Sequence, residues 1–193
     1  MIYGFLSRWQ VSSVRSFIPR RVKVGGMRRI PFGVPGLDRD FAGIPPGSFV
    51  LLTGEVDSGV DEFAYTSTAM IQMARDQPDV FARYNNRSVE PEEIPKSVHY
   101  ITLERHDSLI KDKMGAVLSG QQYETLVDNT KFIDITDEFF ENMSLSLPTD
   151  IDGQDRGYSD ILADIADYLE EKAKDDLVVI DSLTSLFKMT EFT

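Results

Sequence analysis

The fold is decided by residues 48–61, which read SFVLLTGEVDSGVD. The apolar run of residues 48–53 is typical of a strand that is buried on both faces. Gly54 and Gly59 bound the short turn that follows it. Residues 61–75 then carry apolar side chains at helical spacing, with acids in the first turn, where the helix dipole favours them. A strand, a glycine-bounded turn and a helix in immediate succession predict an α/β fold.

The rest of the chain continues this alternation. Predicted strands cover residues 98–103, 131–135 and 177–180, and predicted helices cover residues 107–118, capped by Asp107, and residues 158–174. The proline-punctuated residues 77–96 predict a long surface loop, and residues 141–156 a turn-rich connection. This order predicts a right-handed α/β fold with a mainly parallel sheet of roughly four strands. The short sheet leaves an apolar edge open, which favours a protein partner or self-association.

Composition excludes several classes of site. The chain has 193 residues and no cysteine, which excludes disulfides, thiolate metal sites and thiol nucleophiles. His99 and His106 are the only histidines, so a histidine-rich metal site is not expected. We expect a cytoplasmic protein, since no run reaches the roughly 18 apolar residues that span a bilayer. Stable membrane insertion is therefore not expected.

Charge divides the chain into two parts. Residues 1–29 carry seven basic side chains and no acid, which leaves 13 basic and 32 acidic residues, a formal charge of −19, for residues 30–193. With this charge, residues 30–193 repel nucleic acid and anionic lipid. Nucleic acid is accordingly expected only through residues 1–29, if at all. The acidity favours a protein of very salty cytoplasm, with an ordinary acidic protein as the alternative.

Residues 1–29 have two readings. They form either a basic amphipathic arm that touches membrane or nucleic acid, or a non-native extension upstream of a start at Met27. We expect residues 30–193 to form one domain that is incomplete at its C-terminal end.

The turn after the predicted first strand has the spacing of a phosphate-binding loop. Such a loop follows the pattern G-x-x-x-x-G-K-[ST], in which lysine contacts the phosphates and a hydroxyl binds magnesium. Here the lysine is replaced by Val60 and the hydroxyl residue by Asp61. The candidate nucleotide-binding residues are Gly54, Glu55, Val56, Asp57, Ser58, Gly59, Val60 and Asp61.

Three blocks of sequence resemble the KaiC/RecA-type P-loop ATPases. They are PFGVPGLDRDFAGIPPGSFVLLTGEVDSG, HYITLE and LVVIDSLTSL, in the order that this family shows. The altered loop and the acidic surface are most similar to the KaiC-like "HTR-like" proteins of halophilic archaea. The resemblance implies a RecA-like three-layer fold, with ATP and Mg²⁺ as cofactors. It also implies a catalytic role for Glu104 and a metal-binding role for Asp181, which ends the Walker B strand.

The altered loop argues against efficient ATP turnover. A lysine–phosphate contact is worth about 1.5–3 kcal/mol, and residues 53–63 present four acids without a base. Each family residue also has a structural alternative. Gly54 and Gly59 would permit a tight turn, Asp181 would cap a turn or helix, and Glu104 would be a solvated acid. We expect His106 at the surface and the Asp175–Asp176 pair at a solvated helix end.

We therefore expect a KaiC/RecA-like domain with a degenerate nucleotide site, acting as a non-catalytic regulatory or signalling module. The alternative is a weak ATP-binding ATPase. ATP and Mg²⁺ remain the candidate cofactors, and the altered loop leaves open that the site binds neither.

Overall fold

The computed structural model describes residues 29–55, 57–137, 158–182 and 184. The N-terminal residues 1–28, Val56 of the loop, residues 138–157 with the whole predicted connection, Leu183 and residues 185–193 lie outside this part. In chain order the elements are α1 (Pro35–Phe41), α2 (Val60–Asp76), α3 (Pro78–Asn85), a 3₁₀ turn (Pro91–Glu93), β1 (Val98–Thr102), α4 (Asp107–Val117), α5 (Gly120–Asp128), β2 (Thr130–Asp134), α6 (Tyr158–Lys172) and β3 (Leu177–Asp181).

The described strands form one open, parallel sheet in the order β2-β1-β3. Thr102 of β1 is the register partner of Asp134 on one side and of Asp181 on the other. The carboxyl ends of all three strands therefore lie at the same edge of the sheet. The predicted α/β class and the parallel pairing are confirmed, and three described strands stand where about four were expected.

Residues 48–53 do not form the predicted strand. Their backbone has no regular structure, and the apolar side chains from Phe49 to Leu52 are 41–74% exposed. Within the described residues β3 pairs only with β1, so its outer edge carries no strand. An apolar run becomes a buried strand only where a neighbouring strand and a covering layer complete it, and neither encloses this run.

One helix replaces part of a predicted loop, and a second lies in residues to which no element was assigned. α3 lies within residues 77–96, where Pro78 occupies the first helical turn and therefore starts the helix instead of breaking it. α5 follows its N-cap residue Ser119, whose side chain forms a capping box with Gln122. The prediction that Asp107 caps α4 is also wrong, because His106 is the N-cap residue and makes no side-chain capping bond.

Helix α2 is the centre of the core. Most of its side chains from Tyr65 to Ala74 are buried. One apolar cluster joins it to β1, α4 and α5 through Tyr65, Ala69, Tyr100, Ile110, Met114, Leu118 and Leu126. A second joins it to α3 and the 3₁₀ turn through Met70, Ile71, Met73, Ala74, Phe81 and Ile94. Burial on several sides holds the start of α2 in place at the carboxyl edge of the sheet.

A buried acid holds the segment before α1 against this core. The Asp38 carboxylate accepts hydrogen bonds from the backbone N–H groups of Phe32 (2.6 Å) and Gly33 (3.0 Å) and from the Asn85 amide (2.7 Å). Ser67 of α2 donates to the Phe32 carbonyl at 2.6 Å. These bonds satisfy polar groups that burial would otherwise leave without partners.

Candidate functional site

The backbone conformation of the loop before α2 explains why residues 54 and 59 are glycine. Gly59 is the N-cap of α2 and has a φ of 83°, in the left-handed region that favours glycine. A Cβ atom on Gly54 would lie 2.1 Å from Ser58 Oγ and 2.6 Å from Val60 Cγ2. Close approach therefore requires glycine at residue 54. The turn geometry accounts for both residues without a ligand.

A guanidinium group binds the acid that occupies the hydroxyl position of the loop. Arg105 Nη1 donates to Asp61 Oδ2 at 2.6 Å, and Lys113 Nζ lies 3.6 Å from the same oxygen. Both cations come from outside the loop, from the segment after β1 and from α4. Residues 53–63 contain no base, as the sequence shows, and the partners of Asp61 come from elsewhere in the chain.

The same guanidinium binds Asp181 at the end of β3. Arg105 Nη2 donates to Asp181 Oδ2, and the Tyr100 hydroxyl donates to that oxygen at 2.8 Å. The ring of Tyr100 lies 6.4 Å from that of Tyr65. Asp61 and Asp181 are thus bridged by one cation from the same chain. We call Asp61, Arg105 and Asp181 the arginine bridge.

Electrostatics of the arginine bridge favour the charged forms. The hydrogen bond from Arg105 lowers the pKa of Asp61. Burial opposes the charge on Arg105, but its hydrogen bond to Asp61 and the charge of Asp181 outweigh burial and raise its pKa. Burial raises the pKa of Tyr65 to about 12, and burial together with Asp181 raises that of Tyr100. The two tyrosines therefore stay neutral, while Asp61 and Arg105 carry charge.

The other candidate residues lie outside this bridge. Glu104 is exposed, and no described hydrogen bond or ion pair links it to Asp61 or Asp181. Glu55 and Asp57 are exposed as well. His106 is at the surface as expected, with its side chain 57% exposed and its Nδ1 3.2 Å from Asp134. The structure thus joins Asp61 and Asp181 through Arg105, whereas Glu104 is exposed.

These residues do not fit a Mg²⁺–triphosphate as they stand. Both carboxylates that would hold the metal are engaged by Arg105, and no loop lysine is present to contact phosphate. Within the described residues, no three His, Asp or Glu side chains gather as a metal site. In this arrangement Arg105 neutralises the two carboxylates. A bound Mg²⁺ would have to displace its guanidinium group.

A second polar network lies at the opposite end of β1 and β3. His99 is fully buried, with Nε2 3.0 Å from Asp176 Oδ2 and Nδ1 2.7 Å from the Tyr168 hydroxyl of α6. Ser97 donates to both oxygens of Asp176, from its hydroxyl at 2.7 Å and from its backbone N–H at 3.1 Å. A carboxylate only accepts, so His99 donates from Nε2 to Asp176, and its Nδ1 is paired with the Tyr168 hydroxyl.

We call His99, Asp176, Tyr168 and Ser97 the amino-end network. Its contacts contradict one expectation from the sequence. Asp176 is not a solvated helix-end acid, because its carboxylate joins β1 to β3. Burial tends to raise its pKa, but the hydrogen bonds from Ser97 and His99 lower it overall. Asp175, by contrast, is exposed as predicted.

Arg105 is the site residue that sequence reasoning missed. A signal for it exists, because Arg105 follows a predicted strand and Asp181 ends another. The carboxyl ends of neighbouring parallel strands meet at one edge. A base after one strand and an acid at the end of the next therefore predict an ion pair across that edge.

No protein-family model, curated protein or solved structure matches this chain. Among the described helices, none is both long and apolar enough to cross a membrane.

Proposed function

We propose that this chain is a KaiC/RecA-like domain with a degenerate nucleotide site, which acts as a regulatory or signalling interaction module and not as an efficient ATPase. The observation that carries the proposal is the arginine bridge. In the family that the sequence resembles, positions such as Asp61 and Asp181 serve a metal ion and its nucleotide. Here Arg105 supplies the positive charge permanently, from within the chain.

Electrostatics support the loss of turnover. A triphosphate needs cationic groups that stabilise the charge developing on the transferred phosphoryl group. Among the residues that the structure describes, Arg105 and Lys113 are the basic groups that pair with Asp61, and both already contact its carboxylate. Glu55, Asp57 and Glu62, which are exposed, would repel an incoming phosphate.

Surface chemistry supports the interaction role. Four consecutive apolar side chains from Phe49 to Leu52 are exposed beside the loop. Exposed apolar runs of this kind mark interaction surfaces. The proposal includes a cytoplasmic, high-salt setting, because the formal net charge of −12 suits a protein kept soluble by a strongly hydrated acidic surface.

Calorimetry with Mg-ATP tests this proposal. We would titrate wild type and the Val60→Lys/Asp61→Thr double variant in about 2–3 M KCl, where charge repulsion is screened. We expect no binding heat for wild type and measurable binding for the double variant, which restores the lysine and the hydroxyl and frees Arg105 from Asp61. The matched control is Val80→Lys/Asp79→Thr on α3, which makes the same changes away from the loop and should not bind.

Tight binding by wild type would contradict the proposal and favour the weak ATPase. If wild type released phosphate from ATP and Glu104→Gln did not, the protein would be the weak ATPase, with Glu104 as its catalytic residue.

A further inference from the structure

The most exposed apolar part of the described chain is the run at residues 49–52. Phe49 is 74% exposed, Val50 44%, Leu51 58% and Leu52 41%. No backbone hydrogen bond joins residues 49–53 to the described part of the chain. Large apolar side chains in such a run are normally covered by another surface.

Acidic side chains border this run on the side of the loop. Glu55, Asp57 and Glu62 are exposed, and none of them forms an ion pair with a described residue. Residues 48–63 contain no base. We call residues 49–52 together with these three acids the 49–62 surface. Its chemistry fits an occupant that is both apolar and basic.

The chain itself contains such a segment. Residues 1–28 carry six basic side chains and no acid, interspersed with large apolar side chains such as Phe5, Leu6 and Trp9. A second copy of the described body fits less well, because it would set the same acids against each other.

Attachment favours the chain's own segment over a separate partner. Residues 1–28 join the described part at Arg29, whose Nη1 donates to the Gly43 carbonyl at 3.0 Å. Ile30 and Ile44 then exchange backbone hydrogen bonds of 2.8 and 2.6 Å. Ile44 is only five residues before Phe49, so the segment is tethered close to the run. A short tether gives a high effective concentration, which favours binding within one molecule.

We propose that residues 1–28 bind to the 49–62 surface of the same molecule. Apolar side chains of the segment cover Phe49–Leu52, and its basic side chains pair with the acids at the border. This inference rests on exposure, charge and chain attachment, and it assigns to residues 1–28 the surface that the proposed function offers to a partner; its test uses no nucleotide.

Trp9 provides a specific probe, because it is the only tryptophan in the chain. We would measure its emission and its quenching by acrylamide in the full-length protein, at about 2–3 M KCl and at lower salt. We expect blue-shifted emission and quenching several-fold weaker than in a free peptide of residues 1–28. Leu51→Asp should make Trp9 as accessible as in that peptide.

Controls separate this surface from other causes. Leu109→Asp places the same charge at another exposed leucine, on α4, and should leave Trp9 protected. A charge-reversed Glu55→Lys/Asp57→Lys variant should release Trp9 more readily at low salt than at high salt. Circular dichroism confirms that each variant remains folded, since the substituted side chains are exposed.

Three results would overturn the inference. The first is equal quenching of Trp9 in wild type and in the free peptide. The second is equal release by Leu51→Asp and Leu109→Asp, which would place the contact elsewhere. The third is protection that increases with protein concentration, which would assign the contact to a second molecule.

Discussion

The two ends of β1 and β3 carry polar clusters of different design. At the carboxyl end, Arg105 joins Asp61 to Asp181, and the side chains of Arg105 and Asp61 remain 23% and 38% exposed. At the amino end, the fully buried His99 joins Asp176 to Tyr168. The first cluster has two acids and a guanidinium group, and the second has one acid and a buried imidazole. The comparison indicates that the amino end stabilises the fold and that the carboxyl end neutralises two acids, which we propose to be the altered remnant of a site.

The largest expected effect is at the amino end. His99→Ala should lower the free energy of unfolding by about 3 kcal/mol, because it leaves a cavity and removes a partner from both Asp176 and Tyr168. Chemical denaturation measures this loss. His106→Ala, at the exposed histidine, should change stability by less than about 0.5 kcal/mol. Equal effects of the two substitutions would contradict a structural role for the amino-end network.

A smaller loss is expected when the arginine bridge is broken. Arg105→Gln should cost about 2 kcal/mol, because it leaves two partly buried carboxylates facing each other. Adding Asp181→Asn should recover part of that loss, and a double-mutant cycle measures the coupling. Arg39→Gln, at an exposed arginine paired only with Asp40, is the matched control and should be nearly neutral. Additive effects of Arg105→Gln and Asp181→Asn would contradict the bridge.

Acid should weaken the carboxyl end through Asp134 as well as through Asp61. Burial opposes the charge of Asp134, but hydrogen bonds from Thr136, from the Asp107 N–H and from His106 lower its pKa from 3.8 to about 2. Because the folded-state pKa is the lower one, the stabilisation is complete above pH 3.8 and is lost as the pH falls towards about 2.

Asp134→Asn tests this dependence. The substitution should cost stability at neutral pH and much less near pH 2, so that the pH profile of unfolding becomes flatter. An unchanged profile in the variant would show that Asp134 does not contribute.

The smallest loss of stability is expected when the Tyr100 hydroxyl, which donates to Asp181, is removed. Tyr100→Phe removes one hydrogen bond to Asp181 and should cost about 1 kcal/mol, since Arg105 continues to bind that carboxylate. Thermal unfolding measures the change. A loss as large as that of Arg105→Gln would mean that Tyr100, and not the guanidinium, is the main partner of Asp181.

Local patterns predicted the fold class because they need no distant partner. The start of α2, the strand at Val98–Thr102 and the strand at Leu177–Asp181 follow from apolar spacing and from glycine placement. Residues 48–53 have an equally strong strand pattern, but a strand also needs a neighbour, and sequence spacing does not supply one. Residues 78–85 were predicted as loop because proline was taken as a breaker where it starts a helix.

The candidate site was harder to predict, because its decisive contact spans the sheet. Arg105 is 44 residues from Asp61 and 76 from Asp181 along the chain. The acids of the loop predicted repulsion of a phosphate. Arg105 reaches Asp61 and Asp181 because the carboxyl ends of the strands lie at the same edge of the sheet. Glu104 was equally hard to place from the sequence. Its neighbour Arg105 binds Asp61 and Asp181, whereas Glu104 is exposed to solvent.

Manganese binding tests the central claim most directly, namely that Arg105 takes the place of a metal ion between Asp61 and Asp181. We would follow the free Mn²⁺ signal by electron paramagnetic resonance while titrating wild type and Arg105→Gln. The account predicts that wild type leaves the free signal unchanged and that Arg105→Gln lowers it, because the two carboxylates become available to the ion. Loss of the free signal with wild type, reversed by Asp181→Asn, would contradict the account.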